Sequence, residues 1–391
     1  MSARDTNEAH RAASPLELLF DLTFVVAIAQ VADQLYQQVE SGHALQGIIP
    51  FVMVFFAIWW AWMNFTWFAS AYDTDDVPYR LLTLVQMAGV LVLVAGVPAA
   101  FQHQNFFGIT LGYFIMRIGL VSEWVRAAIE NPDGRATAIR YAVGVTVIQL
   151  GWLSRLLLPT NAANQWWTVY LAFVVLVSLE FAVPYWAERT GRTTWHPHHI
   201  AERYGLFAII LLGETIAVLA AGVSATVAAG DRVGPLVAVG IASLIIIFGL
   251  WWLYFLQPTG DGLKAHRGGS FFWGYSHYFI FAALGALGAG LGVVAKSAGG
   301  HSSVSPALAV ASVSIPVAIY LVSLVVAHLP ILPGIAVHVW IVAPAAIAVL
   351  ALPLAAPTLG VPVVLGAVAL IVVLSVIATL MLARRKIGAM Q

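Results

Sequence analysis

The stretch HHIAERYGLFAIILLGETIAVLAAG (198–222) places two carboxylates, Glu202 and Glu214, in a run of residues suited to lipid. A charge at the centre of a membrane helix costs roughly 2.5 to 3.5 kcal/mol on insertion scales, so such a residue faces a polar cavity or a partner. Twelve helical positions separate the two by about 18 Å along the axis and about 120° around it, so they need not share a site. Glu202 falls at the edge of the run and Glu214 deep inside it, with Gly213 beside it permitting close backbone approach. Two chemistries fit Glu214: a proton or cation site, or a fixed ion pair with Arg117. Arg117 sits near the middle of its own apolar segment and cannot shed its proton, so it needs an anion. Glu180 and Glu123 compete for that role.

Glu17 and Asp21 are four residues apart and share a helix face. Ser14-Pro15 reads as a helix start, which gives Glu17 a place in the first turn, whereas Asp21 lies deeper and suits a polar network or site. The loop YDTDDVPYR (72–80) sets Asp73, Asp75 and Asp76 within four positions. Such carboxylates can hold Mg²⁺ against phosphates, or simply cap the helix that Val77-Pro78 begins. In WHPHHIAER (195–203), His198 and His199 are spaced four and three from Glu202, a geometry that can converge on a metal and equally can cap or bridge loops. His277, inside SFFWGYSHYFIF, is expected to hydrogen-bond a neighbouring helix, with a shared central cavity as the alternative. Trp59, Trp60 and Trp62 are too far from a loop to belong entirely to an interfacial belt. They pack against neighbours or line a pocket for an apolar or cationic ligand.

These groups must be positioned by membrane helices. With 61% hydrophobic and 9% charged residues over 391 positions, the chain cannot cover itself for water. The fold class is all-α, a polytopic helical membrane protein of about twelve spans. They are expected near 16–39, 44–70, 80–100, 106–129, 138–159, 165–187, 200–224, 234–256, 270–295, 304–329, 334–353 and 360–383. The eleventh is interrupted by Pro344 and Pro353. Arginine and lysine concentrate in the loops on the side of the two termini, which predicts both termini in the cytoplasm. The polar first dozen residues read as a short tail. LGALGAGLG (284–292) suits close helix contact.

Three pairs of polar or aromatic landmarks recur at similar offsets: Gln30 with Glu214, Trp59-Trp60 with Trp251-Trp252, and Gln86 with His277, at 184, 192 and 191 residues. They suggest two parallel six-helix halves, 1–190 and 191–391. The chain has no Cys, no phosphate-binding or dinucleotide glycine motif and no zinc-protease or serine-hydrolase signature. With a net charge of zero, nothing suggests a nucleic-acid partner.

SPLELLFDLTFVVAIAQVADQL (14–35), NFTWFASAYDTDDVPYRLLTLVQMAGV (64–90) and HHIAERYGLFAIILLGETI (198–216) together resemble the bacterial low temperature requirement A family of integral membrane proteins. The resemblance implies a multi-span bacterial membrane protein, named for growth in the cold, and brings no reaction or substrate with it. The residues favour a proton- or cation-coupled secondary transporter of a small solute, with Asp21, Gln30, Gln86, Arg117, Glu202, Glu214 and His277 as its site. The alternatives are a metal-dependent enzyme acting on a lipid or isoprenoid diphosphate, using Asp73, Asp75, Asp76, His198 and His199, and a non-catalytic membrane protein. No cofactor is evident beyond Mg²⁺ under the enzyme reading. The expected partners are the bilayer and a small molecule, with a homo-oligomer left open.

Overall fold

The computed structural model describes residues 1–4, 12–158, 166–228, 233–332 and 338–389. The helices are α1 (Pro15–Glu40), α2 (Ala44–Ala71), α3 (Val77–His103), α4 (Phe107–Glu130), α5 (Arg135–Arg155), α6 (Trp166–Ala187) and α7 (Pro197–Ala228). They continue with α8 (Val233–Phe255), α9 (Thr259–Ala265), α10 (Ser270–Gly299), α11 (Pro306–His328), α12 (Val339–Ala351), α13 (Ala356–Leu359) and α14 (Val361–Ala389). Two-residue strands β1 (Ser2–Ala3) and β2 (Tyr72–Asp73) pair antiparallel, so the described start of the chain is docked on the α2–α3 connection.

Eleven segments are long and apolar enough to cross a membrane. Helix α4 matches them in length but carries Arg117, Glu123, Arg126 and Glu130, which lower its apolarity. The polytopic all-α class therefore stands. Exposed faces carry Val26, Leu91, Val147, Leu171, Phe248, Ile347 and Leu370, the residues that lipid rather than water would cover. The expected eleventh span differs in its break. Pro344 lies within α12, and the chain turns into a 3₁₀ segment at Leu352–Ala355 before α13, so one 21-residue span runs Val339–Leu359. Residues 334–337 of that expected span lie outside the described residues.

The chain forms two compact units: Met1–Gln30 with Met53–Ile200, and Val31–Val52 with Ala201–Gln391. In the first unit α3 and α4 run in close contact. A Cβ on Gly89 would lie 2.7 Å from the Gly112 carbonyl oxygen, so these helices touch backbone to backbone. Between apolar helices in lipid there is little hydrophobic driving force, and small residues hold the pair by dispersion at short range. Trp124 of α4 stacks on Tyr141 of α5 with centroids 4.2 Å apart, and Phe20 of α1 stacks on Phe65 of α2 at 3.9 Å. In the second unit Gly290 of the glycine-rich stretch lies against the Ser312 carbonyl of α11. Lys296 pairs with Glu40 at 2.9 Å, and Ser302 donates to Glu40 at 2.8 Å.

Candidate functional site

Among the described residues, the first unit gathers its buried carboxylates in three places. Between α3 and α4, Gln86 donates its amide to Glu123 Oε2 at 3.1 Å, and Thr83 lies 3.4 Å from Oε1. Thr83 has one hydroxyl hydrogen, and its back-bond to the Tyr79 carbonyl at 2.9 Å occupies it. Glu123 is fully buried, and among the described residues no cation pairs with it. The site exists because Gly119 leaves room for it: a Cβ there would come within 2.6 Å of Gln86 Cγ and 2.8 Å of the Leu82 carbonyl.

The second place is an ion pair in a ring of aromatic donors. Arg117 of α4 donates Nη2 to Glu180 Oε1 of α6 at 2.9 Å, both side chains being buried. Glu180 also accepts from Tyr113 at 2.8 Å, from Trp152 Nε1 at 3.1 Å and from Trp60 Nε1 at 2.8 Å. Arg117 donates in addition to the Tyr113 hydroxyl and lies 4.5 Å from the centre of its ring. The anion that Arg117 requires is thus Glu180, and the expected alternative of a fixed pair with Glu214 is corrected. Four donors thus satisfy the Glu180 carboxylate, while Arg117 Nε and Nη1 are buried without a hydrogen-bond partner among the described residues.

The third place lies where α1 starts. Ser14 and Glu17 form a reciprocal capping box, with Glu17 N donating to Ser14 Oγ at 3.3 Å and Ser14 N to Glu17 Oε2 at 2.7 Å. Glu17 Oε1 also lies 3.2 Å from His199 Nε2, and Asp21 accepts from Trp62 Nε1 at 2.7 Å. His196 receives the His199 backbone N–H at 3.3 Å and gives its own to Ser70 at 3.0 Å. Trp60 and Trp62, read from sequence as packing or pocket residues, are therefore also donors to buried carboxylates.

The acidic loop is engaged with arginines. Asp75 is held bidentately by Arg80 at 2.8 and 2.7 Å. Asp76 caps α3 by accepting from Tyr79 N at 3.0 Å and pairs with Arg126. The hydrogen bonds from Arg80 hold the Asp75 carboxyl below its ordinary range, and those from Arg126 pull Asp76 down to about 2. Burial pushes the neighbouring Tyr72 up to about 12 and raises Glu188, which accepts from Thr193 at 2.6 Å. The side chain of Asp73 lies outside the described residues. His198 is half-buried, its ring 5.9 Å from that of His196. Among the described residues, no three His, Asp or Glu side chains converge in the way a metal requires.

In the second unit His277 is fully buried. Its Nδ1 lies 2.8 Å from the Trp273 carbonyl, which can only accept, so the neutral ring carries its hydrogen there. Nε2 then accepts from Tyr254 of α8 at 3.1 Å, the inter-helix bond expected of this residue. His328 repeats the arrangement, with Nδ1 2.8 Å from the Leu324 carbonyl and Nε2 3.2 Å from Thr259. Their rings are 6.2 Å apart. Glu202 and Glu214 are half-buried, and Glu214 makes no hydrogen bond or ion pair among the described residues. Gln30, in the first unit, is half-buried.

Buried carboxylates on many apolar helices accompany a match that spans nearly the whole sequence. The profile described as Bacterial low temperature requirement A protein (LtrA) matches residues 12–380. The chain belongs to this family. A Rhizobium meliloti (strain 1021) protein named "Uncharacterized protein RA0937" is similar to it, 26% identical over 304 residues that cover 72% of this chain and 70% of that one. This LtrA-family protein thus keeps its ionisable residues in clusters that sequence reasoning reached only in part. Sequence reasoning counted Glu123 and Glu180 only as anions competing for Arg117, and did not connect Gln86 with Glu123. The signal that would have joined them is the row Gly108, Gly112 and Gly119 on α4, a small-residue seam that brings α3 close.

Proposed function

We propose that this LtrA-family protein is a proton-coupled secondary transporter of a small solute in the bacterial cytoplasmic membrane, with both termini in the cytoplasm. The observation that carries the reading is Glu123. It is a fully buried carboxyl held by the Gln86 amide, with no pairing cation among the described residues. A carboxylate inside a bundle needs a counter-charge or a proton, and a carboxyl with neutral neighbours is suited to exchanging one. Glu180 has its arginine and serves the fold. Glu214, half-buried and free of hydrogen bonds among the described residues, is the second carboxyl to examine.

The test uses the purified full chain in liposomes holding a trapped pH-sensitive dye. Pools of amino acids, organic acids, sugars and amines are added outside. At least one pool should move protons, and Glu123→Gln, which preserves an amide partner for Gln86, should abolish that movement. Glu214→Gln in the same assay shows whether a second carboxyl takes part. Proton movement unaffected by Glu123→Gln removes that residue from the role, and the absence of coupled movement with every pool overturns the transport reading.

A further inference from the structure

At the end of the first unit where α4 begins, α5 ends and α6 begins, a cleft of about 380 Å³ opens, counting its mouth. Its walls are almost wholly apolar and aromatic, with Phe56, Phe106, Tyr113, Trp152 and Phe173 prominent. Besides Thr110, the exception is Arg155, the last residue of α5, which lines the same cleft while only 6% exposed. Its Nε donates to the Val169 carbonyl at 3.1 Å, and its guanidinium lies 5.1 Å from the Phe106 ring centre and 5.8 Å from that of Phe173. Nη2 is buried and has no hydrogen-bond partner among the described residues.

No carboxylate pairs with Arg155 among the described residues, and the adjoining stretch PTNAANQ (159–165) contains no acidic side chain. Arg117, buried to the same degree, has Glu180. A buried guanidinium stays charged, and leaving its charge uncompensated in an apolar wall is costly. Stacking on two rings recovers part of that cost and fixes the plane of the fork, leaving a donor edge suited to a carboxylate or phosphate.

We propose that this cleft binds an anionic amphiphile, its carboxylate or phosphate held by Arg155 and its apolar body seated among the aromatic rings of α2, α4 and α6. The anion comes either from a free aryl or alkyl acid or from an anionic lipid whose chain enters through the open mouth. The site stands independently of proton coupling at Glu123.

The test places the full chain in phosphatidylcholine nanodiscs and follows tryptophan fluorescence, to which Trp152 in the cleft wall contributes, on titration with naphthoate and decanoate. Naphthylmethanol and decanol serve as uncharged controls. Phosphatidylglycerol nanodiscs and native mass spectrometry form the lipid arm. Saturable binding of the acids, weakened at least about tenfold by Arg155→Gln and at least about tenfold weaker for the alcohols, is the expected result. Ala57→Leu, which narrows the cleft and leaves the charge in place, should weaken binding likewise, and it keeps the test decisive if Arg155→Gln does not fold. Retention of phosphatidylglycerol that depends on Arg155 and Ala57 assigns a lipid source, and binding of the acids in phosphatidylcholine assigns a free one. Equal binding of acids and alcohols, affinities unchanged in both variants, or no binding of acids or phosphatidylglycerol overturns the proposal.

Discussion

Removing the charge of Glu180 tests whether the Arg117 node is a structural ion pair. Glu180→Gln keeps a carbonyl oxygen near Tyr113 and the tryptophans but leaves Arg117, almost fully buried, without its anion. Breaking a buried pair from one side costs about 3 to 5 kcal/mol, because the remaining charge stays desolvated. Three further donors, Trp60, Trp152 and Tyr113, converge on the same carboxylate, which places the expected loss toward the upper part of that range. Combining Glu180→Gln with Arg117→Met removes both charges and keeps an oxygen for the three donors, so it should recover most of the loss. Reversible unfolding in mixed detergent micelles, read by tryptophan fluorescence and fitted as a double-mutant cycle, measures the coupling. Glu214→Gln in the same assay should cost less than about 1 kcal/mol, because Glu214 makes no pair among the described residues. A cost below about 1 kcal/mol for Glu180→Gln, or a double variant weaker than the sum of its singles, would refute this account.

Gly119→Ala should destabilise by about 1 to 3 kcal/mol, since its methyl group would meet Gln86 and the Leu82 carbonyl and force α3 away from α4. The infrared carboxyl band assigned through Glu123→Gln should shift in the same variant, and an unchanged band and stability would show that Gly119 does not set the spacing. Asp76 has its carboxyl pulled down to about 2 by Arg126, so its contribution is complete above about pH 4 and is lost as the pH falls through about 2. Asp76→Asn, which can still cap α3, should cost about 0.5 to 1 kcal/mol at neutral pH, and the difference from the parent should vanish toward pH 2 in acid unfolding curves. Tyr254→Phe removes the donor to His277 Nε2 and should cost about 1 kcal/mol by the same detergent assay. No loss would mean the bond contributes nothing net.

The spans, the capped start of α1 at Ser14-Pro15 and the cap of α3 at Asp76 were legible from the sequence. Each depends on neighbours along the chain: a run of apolar residues long enough to cross a bilayer, or an oxygen acceptor placed before free backbone N–H groups. Pairing across helices was not legible. Glu180 meets Arg117 across 63 residues and Gln86 meets Glu123 across 37, and nothing in their spacing singles out those partners. Helical periodicity fixes which side chains share a face of one helix, but the choice of facing helix, its rotation and its depth come from packing. Glu214 looked like a partner of Arg117 because both sit deep in apolar runs, a property that Glu123 and Glu180 share. What the sequence determined alone is that this is a many-helix membrane protein carrying buried acids at an energetic cost. The tertiary structure decided which acid faces a cation, which faces only neutral donors, and that Arg155 stands in an aromatic cleft without a pairing acid among the described residues. Those distinctions come from contacts of a few ångströms between separate helices, and for Gln86 and Glu123 from glycines that let α3 and α4 touch.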